Sequence, residues 1–415
     1  MKIIELCSGY DIGYNGGITN YVRSLSDSLS LAGNEVYVID SQKNIPNKLK
    51  YNFTKIKLIN DELKPFHLNN SINNDDAKEF ENILLKIKPD IVHIHMMIDL
   101  PFNIINIAKK YSKVIISLHD YSYICNRITM FDNNDNLCLN SNNGIQCNSC
   151  ISMIEQNKYL KYIYDKFDFK NKSYVLNLFH SSDHTAKHEF IKGIFKNIDL
   201  LIAVSSRVKE IYKNNGLDNK NFIINHIGNI TANNFVKKKN HIDGKIKIAF
   251  IGYFSKYKGA ELVIKFSEYL DSNKFEIIIF GRIDEKYLDV ISNNKLISYF
   301  GTYQQDNLSQ ILESINLGFV LPIWEDNAPQ VVFEFINNGI PVIGTLMGGI
   351  PDFVINGKNG LLIEPTDEAI NNIANEMNDE DFNVLLQSMS CNILPTKSVE
   401  AHNLEIIDLY NKLLK

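Results

Sequence analysis

Residues 324–343 read WEDNAPQVVFEFINNGIPVI and contain a short apolar element with an acidic residue at each end, Asp326 and Glu334. A strand signal, Gly-Ile-Pro-Val-Ile, follows at 339–343, and the turn at 348–352 reads Gly-Gly-Ile-Pro-Asp. Ionised carboxylates accept hydrogen bonds from hydroxyl groups, and glycine lets the backbone approach a phosphate closely. The segment therefore favours a ligand with many hydroxyl groups.

Short apolar runs alternate with longer amphipathic runs on both sides of this segment. This alternation predicts parallel sheets with helices on both faces. In the first half, the pattern predicts strands at 3–6, 36–39, 91–95 and 114–118, and helices at about 18–31, 80–87 and 104–111. In the second half, it predicts strands at 246–251, 275–280, 297–300, 317–321 and 342–343, and a helix at 260–270.

The polar segment 237–244 separates the two patterns and reads as a linker. We therefore expect one α/β domain at 1–240, with a cysteine-rich insertion at 125–150, and a second at 241–397. The amphipathic segment 398–415 is expected to pack back on the first domain. In open sheets of this kind, ligands bind beyond the carboxyl ends of the strands, which predicts a site in a cleft between the domains.

Composition excludes several classes of protein. The chain has 415 residues, 45% of them hydrophobic and 22% charged, as in globular proteins, and a net charge of -5, which argues against nucleic-acid binding. No apolar run reaches the ~20 residues that span a bilayer, and the N-terminal apolar run is too short for a signal peptide. We therefore expect a cytoplasmic protein whose six cysteines are reduced or metal-bound.

Four of these cysteines lie close together in a stretch rich in glycine and asparagine: Cys125, Cys138, Cys147 and Cys150. The last two form a C-x-x-C pair. Four thiolates can bind Zn²⁺ tetrahedrally and fold a loop that has no core pattern of its own, so we expect a structural zinc. Separate reduced thiols, or disulfides formed on oxidation, remain alternatives. Cys7 and Cys391 are isolated and expected to be buried.

Further motifs occur in a fixed order. The second half contains GYFSKYKG at 252–259 and NGLL at 359–362, and the first half contains GGI at 16–18, PDIVHIH at 89–95, LHDY at 118–121 and DLLIAVS at 199–205. Together with the acidic segment, these motifs closely resemble the family-4 glycosyltransferases of the GT-B fold, which have two Rossmann-like parallel-sheet domains facing across a cleft. A subset of these enzymes also has spaced cysteines after the His-Asp-Tyr segment.

The resemblance implies transfer of a sugar from a nucleotide-sugar donor to an acceptor hydroxyl, with retention of the anomeric configuration. Lys258 would neutralise the donor diphosphate, Glu334 would bind the ribose, and Asp326 would face the donor sugar. His119 would lie near the transferred sugar. The remaining donor-binding positions would be the glycines Gly16, Gly17, Gly348 and Gly349.

Two positions depart from the family pattern. The first acidic residue is Asp326 where the family usually has glutamate, and the neighbouring Glu325 is expected to point elsewhere. Tyr253 stands where the family often has an arginine, so Arg207 is a candidate for the second phosphate-binding cation. No Asp-x-Asp pair is placed to hold a divalent ion near the nucleotide, and we expect no catalytic metal.

The acceptor is open at this stage: a glycan, a glycolipid or a protein. Residues 157–172, NKYLKYIYDKFDFKNK, mix lysines with aromatic residues, which suits either peripheral contact with the inner membrane face or a helix packed on the first domain. The alternative functions are a non-catalytic GT-B protein that binds a nucleotide sugar or glycan, and a nucleotide-sugar epimerase. The epimerase would need additional acid/base residues that the sequence does not reveal.

Overall fold

The chain forms two compact units, the first comprising 1–226 with 403–415 and the second 227–402. The computed structural model describes residues 1–7, 16–40, 52–55, 74–97, 100–151, 166, 183–238, 242, 244–304 and 307–415. The division at residue 227 precedes the linker expected at 237–244. Lys238, within that segment, already belongs to unit 2, because its Nζ donates to the backbone carbonyls of Ile315 and Leu312 at 2.6 and 3.2 Å.

Unit 1 is built on a seven-stranded parallel sheet in the order β3-β2-β1-β4-β5-β6-β7. The four strands predicted from the sequence are present. The seven strands are β1 (Lys2–Cys7), β2 (Glu35–Asp40), β3 (Asn52–Lys55), β4 (Ile91–Met96), β5 (Lys113–Leu118), β6 (Leu200–Ala203) and β7 (Phe222–Ile224). Its helices are Gly17–Leu31, Asn74–Ile87, Asn103–Tyr111, Cys147–Cys150, Asp183–Asn197 and Ser206–Asn214.

Helix Gly17–Leu31 shows how the apolar pattern makes the core of unit 1. Val22, Leu25 and Leu29 recur every three or four residues and are fully buried against the sheet. The C-terminal helix Val399–Leu414 supplies Ile406 and Tyr410 to the same core. Residues 403–415 therefore form part of unit 1.

Unit 2 is built on a six-stranded parallel sheet in the order β10-β9-β8-β11-β12-β13. The strands are β8 (Ile246–Ile251), β9 (Phe275–Phe280), β10 (Ile297–Gly301), β11 (Leu317–Val320), β12 (Val342–Thr345) and β13 (Gly360–Ile363). The helices are Ala260–Tyr269, Leu288–Ser292, Leu308–Leu312, Gln330–Asn337, Asp367–Asn378 and Phe382–Cys391.

Both sheets have a point where the direction of chain progression reverses, between β1 and β4 in unit 1 and between β8 and β11 in unit 2. Crossover helices lie on opposite faces on either side of such a point, which leaves a crevice at the carboxyl ends of the strands. The fold therefore places the loops after β8 and β11 next to each other in unit 2. It does the same for the loops after β1 and β4 in unit 1.

Close packing in unit 2 predicts the effect of adding one methyl group. A Cβ at Gly318 on central strand β11 would lie 2.5 Å from the ring of Phe335. Overpacking of this kind costs about 1–3 kcal/mol, so Gly318→Ala should lower the free energy of unfolding of unit 2. The measurement is thermal or urea unfolding of the full chain.

Gly193→Ala is the matched control, because a Cβ at this helical glycine meets nothing within 4 Å. Alanine is the better helix former, so the control should unfold at the same temperature as the wild type or slightly above it. Equal behaviour of the two variants would show that Gly318 is not close-packed.

Candidate functional site

Lys258 lies in the loop after β8, at the point where the strand order of unit 2 reverses. It ends a short 3-10 turn, Lys256–Lys258, after β8, and the next residue is the N-cap of helix Ala260–Tyr269. Its Nζ lies 2.5 Å from Asp326 Oδ2 and 5.2 Å from the centre of the Trp324 ring. The lysine is 44% exposed while the aspartate is 12% exposed, so the ammonium group is accessible to a ligand.

Gly259 makes this arrangement possible. Its φ is 89°, a left-handed conformation that favours glycine, and a Cβ there would lie 1.8 Å from the carbonyl oxygen of Leu321. The backbone after β8 therefore presses directly on the end of β11. This close approach brings Lys258 to Asp326 across 68 residues of sequence.

The two adjacent carboxylates Glu325 and Asp326 have different partners. Glu325 is 1% exposed, and its Oε2 accepts a 2.7 Å hydrogen bond from the Gly348 amide, whereas Asp326 contacts Lys258. The Gly349 amide donates to the Asp326 carbonyl at 2.8 Å. Glu325 thus fixes the glycine turn, and Asp326 provides the carboxylate beside the lysine.

Glu334 lies one turn into helix Gln330–Asn337 and is 8% exposed. Tyr303, after β10, is within electrostatic range, because burial and then the Glu334 charge raise the pKa of its hydroxyl above the ordinary value. Tyr303 lines an open cavity of about 890 Å³ together with Phe280 and Phe300. Aromatic and acidic groups therefore occur together in unit 2, where a planar base and a ribose could bind.

Arg282 is a cation that the sequence reasoning missed. It directly follows β9 and Gly281, and its side chain is exposed. Its carbonyl accepts a 2.7 Å hydrogen bond from Phe254, the neighbour of Tyr253, so it lies beside the position where the family often has arginine. The Gly-Arg pair after a strand was the signal. Arg207, the candidate chosen from sequence, lies in unit 1 and pairs with Glu210 at 2.9 Å.

In unit 1, Gly16 and Gly17 begin a helix. Gly16 is the N-cap of Gly17–Leu31 in an extended conformation, with φ of −78° and ψ of 150°. A Cβ at Gly17 would meet nothing within 4 Å, so the space next to this backbone is open. Amides at a helix N-terminus can bind an anion such as a phosphate, which is the role the resemblance implies for these residues.

His119, directly after β5, ends a chain of buried polar groups. Its Nε2 lies 3.3 Å from His95 Nδ1, and His95 Nε2 lies 2.5 Å from Glu5 Oε2. On the other side of Glu5, the Tyr410 hydroxyl donates to Oε1 at 3.1 Å and lies 2.6 Å from His93 Nδ1. Sequence reasoning missed Glu5 and Tyr410, although Glu5 is the one charged residue of the buried segment Ile3–Cys7.

Electrostatics assign the protons along this chain. Burial raises the pKa of Glu5 from 4.5 to about 8, partly opposed by the Tyr410 hydrogen bond, and burial lowers the pKa of His95 to about 3. At neutral pH, Glu5 therefore carries a proton and donates it in a hydrogen bond to His95 Nε2. His95 then donates from Nδ1 to His119 Nε2, which leaves the His119 proton on Nδ1.

The four clustered cysteines line a single cavity of about 390 Å³ in unit 1. All four are free and half-buried, and no three of their Sγ atoms lie within 4.8 Å of one another. Of the isolated cysteines, Cys7 is buried as expected, but the expectation for Cys391 is wrong, because it lies exposed at the end of its helix.

In the part of the chain that the structure describes, one group of three side chains has ligating atoms within 4.8 Å of each other: Glu5, His93 and His95. These atoms are already joined by the hydrogen bonds of the polar chain. Within the same part, no helix has the length and apolar character needed to cross a bilayer. The segment 157–172 lies outside the described residues, Lys166 excepted.

Comparison with known families agrees with this geometry. Residues 15–227 match the family model described as "Glycosyltransferase Family 4", and residues 232–390 match the one described as "Glycosyl transferases group 1". The first match alone covers more than half of the chain. The chain therefore belongs to glycosyltransferase family 4, as its motifs predict.

Two relatives are similar over part of their length. An "Uncharacterized 42.6 kDa protein in cps region" of Klebsiella pneumoniae is 26% identical over 294 residues, which are 69% of this chain and 65% of that protein. The "Uncharacterized glycosyltransferase MJ1178" of Methanocaldococcus jannaschii is 30% identical over 207 residues, 47% of this chain and 56% of that protein. The matches thus span less than two thirds of each relative.

Solved structures match over almost the whole chain. A sucrose-phosphate synthase from Thermosynechococcus elongatus superposes with a TM-score of 0.63 at 14% identity, covering 99% of this chain and 98% of the other. Anabaena Alr3699/HepE in complex with UDP gives a TM-score of 0.63 at 12% identity, covering 99% and 100%. These likenesses confirm the predicted GT-B fold class.

The raised pKa of Glu5 predicts how stability depends on pH. The unfolded chain loses the Glu5 proton near pH 4.5 and the folded chain near pH 8, so stability falls as pH rises between these values. The lowered pKa of His95 has the opposite effect on stability, but only below pH 6.5, the ordinary pKa of histidine. Between pH 6.5 and 8, thermal unfolding should therefore show a decline that Glu5→Gln removes.

The exposed Glu189→Gln is the control and should keep the wild-type decline. Histidine ¹⁵N shifts give a second readout. His119 should carry its proton on Nδ1 at pH 7, and in Glu5→Gln it should still do so at pH 9, because the glutamine amide donates as the protonated carboxyl does. A Glu5→Gln protein that follows the wild-type pH profile would contradict the proton assignment.

Proposed function

We propose that the chain is a retaining glycosyltransferase that moves a sugar from a nucleotide-sugar donor to an acceptor hydroxyl, without a catalytic metal ion. The observation that carries this proposal is the contact between Lys258 and Asp326, next to the point where the strand order of unit 2 reverses. Membership of family 4 supports the reaction class. UDP and UDP-glucose are bound by the similar Anabaena protein, so uridine-linked donors are the first to test.

Lys258 and Asp326 would act in sequence on the donor. A diphosphate carries more negative charge than a carboxylate, so it would displace Asp326 from the ammonium group of Lys258. Asp326 would then accept hydrogen bonds from hydroxyls of the donor sugar. As the bond between the anomeric carbon and the phosphate oxygen breaks, charge grows on the diphosphate, and Lys258 stabilises it.

The other donor contacts would come from the same unit. Glu334 would accept hydrogen bonds from the ribose hydroxyls, and the aromatic cavity around Tyr303 would hold the base. The turn at Gly348 and Gly349 would let the backbone approach the sugar-phosphate closely, while its two amides stay bonded to the Glu325 carboxylate and the Asp326 carbonyl. Arg282 would supply the second positive charge that Tyr253 cannot.

Unit 1 would supply contacts to the transferred sugar and the acceptor. His119, whose Nε2 accepts from His95, would donate a hydrogen bond from Nδ1 and so orient a sugar hydroxyl. Gly16 and Gly17, at the N-terminus of their helix, would offer backbone amides to a phosphate. For the acceptor, we propose a glycan or glycolipid of a cell-surface polysaccharide pathway, because the Klebsiella relative is described as lying in a cps region.

The first prediction for this function concerns Lys258. Lys258→Ala should lower turnover of the accepted nucleotide sugar by about 100- to 1,000-fold, since the charge of the leaving group then develops without a cation beside it. Turnover is measured by release of the nucleoside diphosphate. A panel of nucleotide sugars, screened by thermal stabilisation, identifies the donor first.

Lys265→Ala is the matched control, because this lysine lies in the same unit but pairs with Glu268 on an exposed helix surface. It should leave turnover unchanged, and EDTA should not abolish wild-type turnover unless chelation also strips a structural zinc. Donor binding without any turnover would favour the alternative, a non-catalytic protein that binds a nucleotide sugar. The departures from the family pattern at Asp326 and Tyr253 are the reason to test for it. The anomeric configuration of the product, determined by NMR, tests retention.

The second prediction concerns Arg282. Loss of one charge-assisted contact to a phosphate costs about 1.5–3 kcal/mol, so Arg282→Gln should weaken donor binding by roughly tenfold or more. Lys295→Gln is the control, since this exposed lysine precedes β10 and so lies at the opposite, amino end of the strands. Equal donor affinity for both variants would assign the second cation elsewhere.

A further inference from the structure

The cysteine loop at 125–150 brings four distant thiols into one place. Cys125 ends a turn, and its amide donates to the Tyr121 carbonyl at 2.7 Å. Cys138 lies next to an isolated antiparallel bridge between Phe131 and Leu137, and its amide donates to the Met130 carbonyl at 2.7 Å. Cys147 and Cys150 lie on one helical turn. All four line the same cavity of about 390 Å³, although up to 25 positions of sequence separate them.

Few apolar side chains of this loop are buried. Residues 125–150 are all described, and Met130 and Phe131 are their only buried apolar side chains. The loop is fastened by polar contacts to Asn215, whose Oδ1 accepts from the Ser141 amide at 2.9 Å and whose Nδ2 donates to the Leu139 carbonyl at 2.9 Å. Apolar burial is therefore a small part of its stability.

The backbone of the loop is also strained. In the described part of the chain, six non-glycine residues have a positive φ, and five of them lie here: Ile128, Met130, Asp135, Asn142 and Asn143. Ile128 at 66° is the least favourable of these, since a β-branched side chain is rarely found there. Such conformations persist only where the surroundings enforce them, which calls for a strong interaction within the loop.

Charge around the cavity favours a site with an excess of negative charge. Arg127 Nε donates to Cys150 Sγ at 3.3 Å, and its Nη2 donates to the Cys150 carbonyl at 2.9 Å. Lys187, 5% exposed, lies within electrostatic range of Cys147 and Cys125. A zinc ion with four thiolates carries a net charge of about −2, which two cations would balance.

We propose that Cys125, Cys138, Cys147 and Cys150 bind one zinc ion as thiolates and thereby hold residues 125–150 on unit 1. Four sulfur ligands in a tetrahedral set select zinc among the abundant divalent ions, whereas magnesium and calcium prefer oxygen ligands. The thiols are further apart than in such a set, so the metal would draw them inward. The Arg127 hydrogen bond to Cys150 Sγ would then be an outer contact that orients the ligand.

Metal analysis of the full-length protein, purified without chelators, tests the proposal. About one zinc per chain is expected, as is its release when the thiols are modified. The double variant Cys147→Ser/Cys150→Ser should lose the zinc, whereas Cys391→Ser, which alters an exposed thiol of unit 2, should keep it. Zinc retained by the double variant would overturn the proposal.

Cobalt replacement keeps the test decisive where the double variant does not fold. Co²⁺ bound to the wild-type protein should show thiolate-to-metal charge transfer and the intense visible bands of a tetrahedral sulfur site. A native protein with no zinc and no such bands would disprove the site. So would a Cys147–Cys150 disulfide found by mass spectrometry in metal-free, folded protein. Neither readout depends on glycosyl transfer, so failure here leaves the proposed function unaffected.

Discussion

The contact between Lys258 and Asp326 depends on one steric constraint, the approach of Gly259 to the Leu321 carbonyl. A side chain at residue 259 would overlap that carbonyl, so only glycine lets the loop after β8 reach the end of β11. Reversal of strand order at the same place sets the loops that carry the two side chains next to each other. The position of Lys258 beside Asp326 therefore depends on a backbone contact that only glycine allows.

Glu325 and Asp326 show how adjacent acidic residues divide two tasks. Glu325 is buried and holds the Gly348 amide, where it maintains the shape of the glycine turn. Asp326 is the carboxylate that contacts Lys258. Asp326 is one methylene shorter than the usual glutamate, and its Oδ2 lies 2.5 Å from Lys258 Nζ.

The buried polar chain in unit 1 has a different physical basis. A carboxyl at 0% exposure is costly when ionised, and Glu5 avoids that cost by keeping its proton. In the neutral chain, each group donates a hydrogen bond to the next one. The order of donors is Ser117, His93, Tyr410, Glu5 and His95, and His119 accepts the last bond. Tyr410 belongs to the C-terminal helix, so the end of the chain contributes to the environment of His119.

The sequence alone determined the alternation of strands and helices, the two α/β units, and the positions of Lys258, Asp326, Glu334 and His119 in their motifs. It could do so because apolar periodicity and glycine turns are local properties of the chain. Only the tertiary structure showed that the unit boundary precedes the polar segment, that Arg282 lies beside Tyr253, and that Tyr410 meets Glu5 across 405 residues. Such contacts depend on strand order and on the path of the last helix, and a local pattern encodes neither.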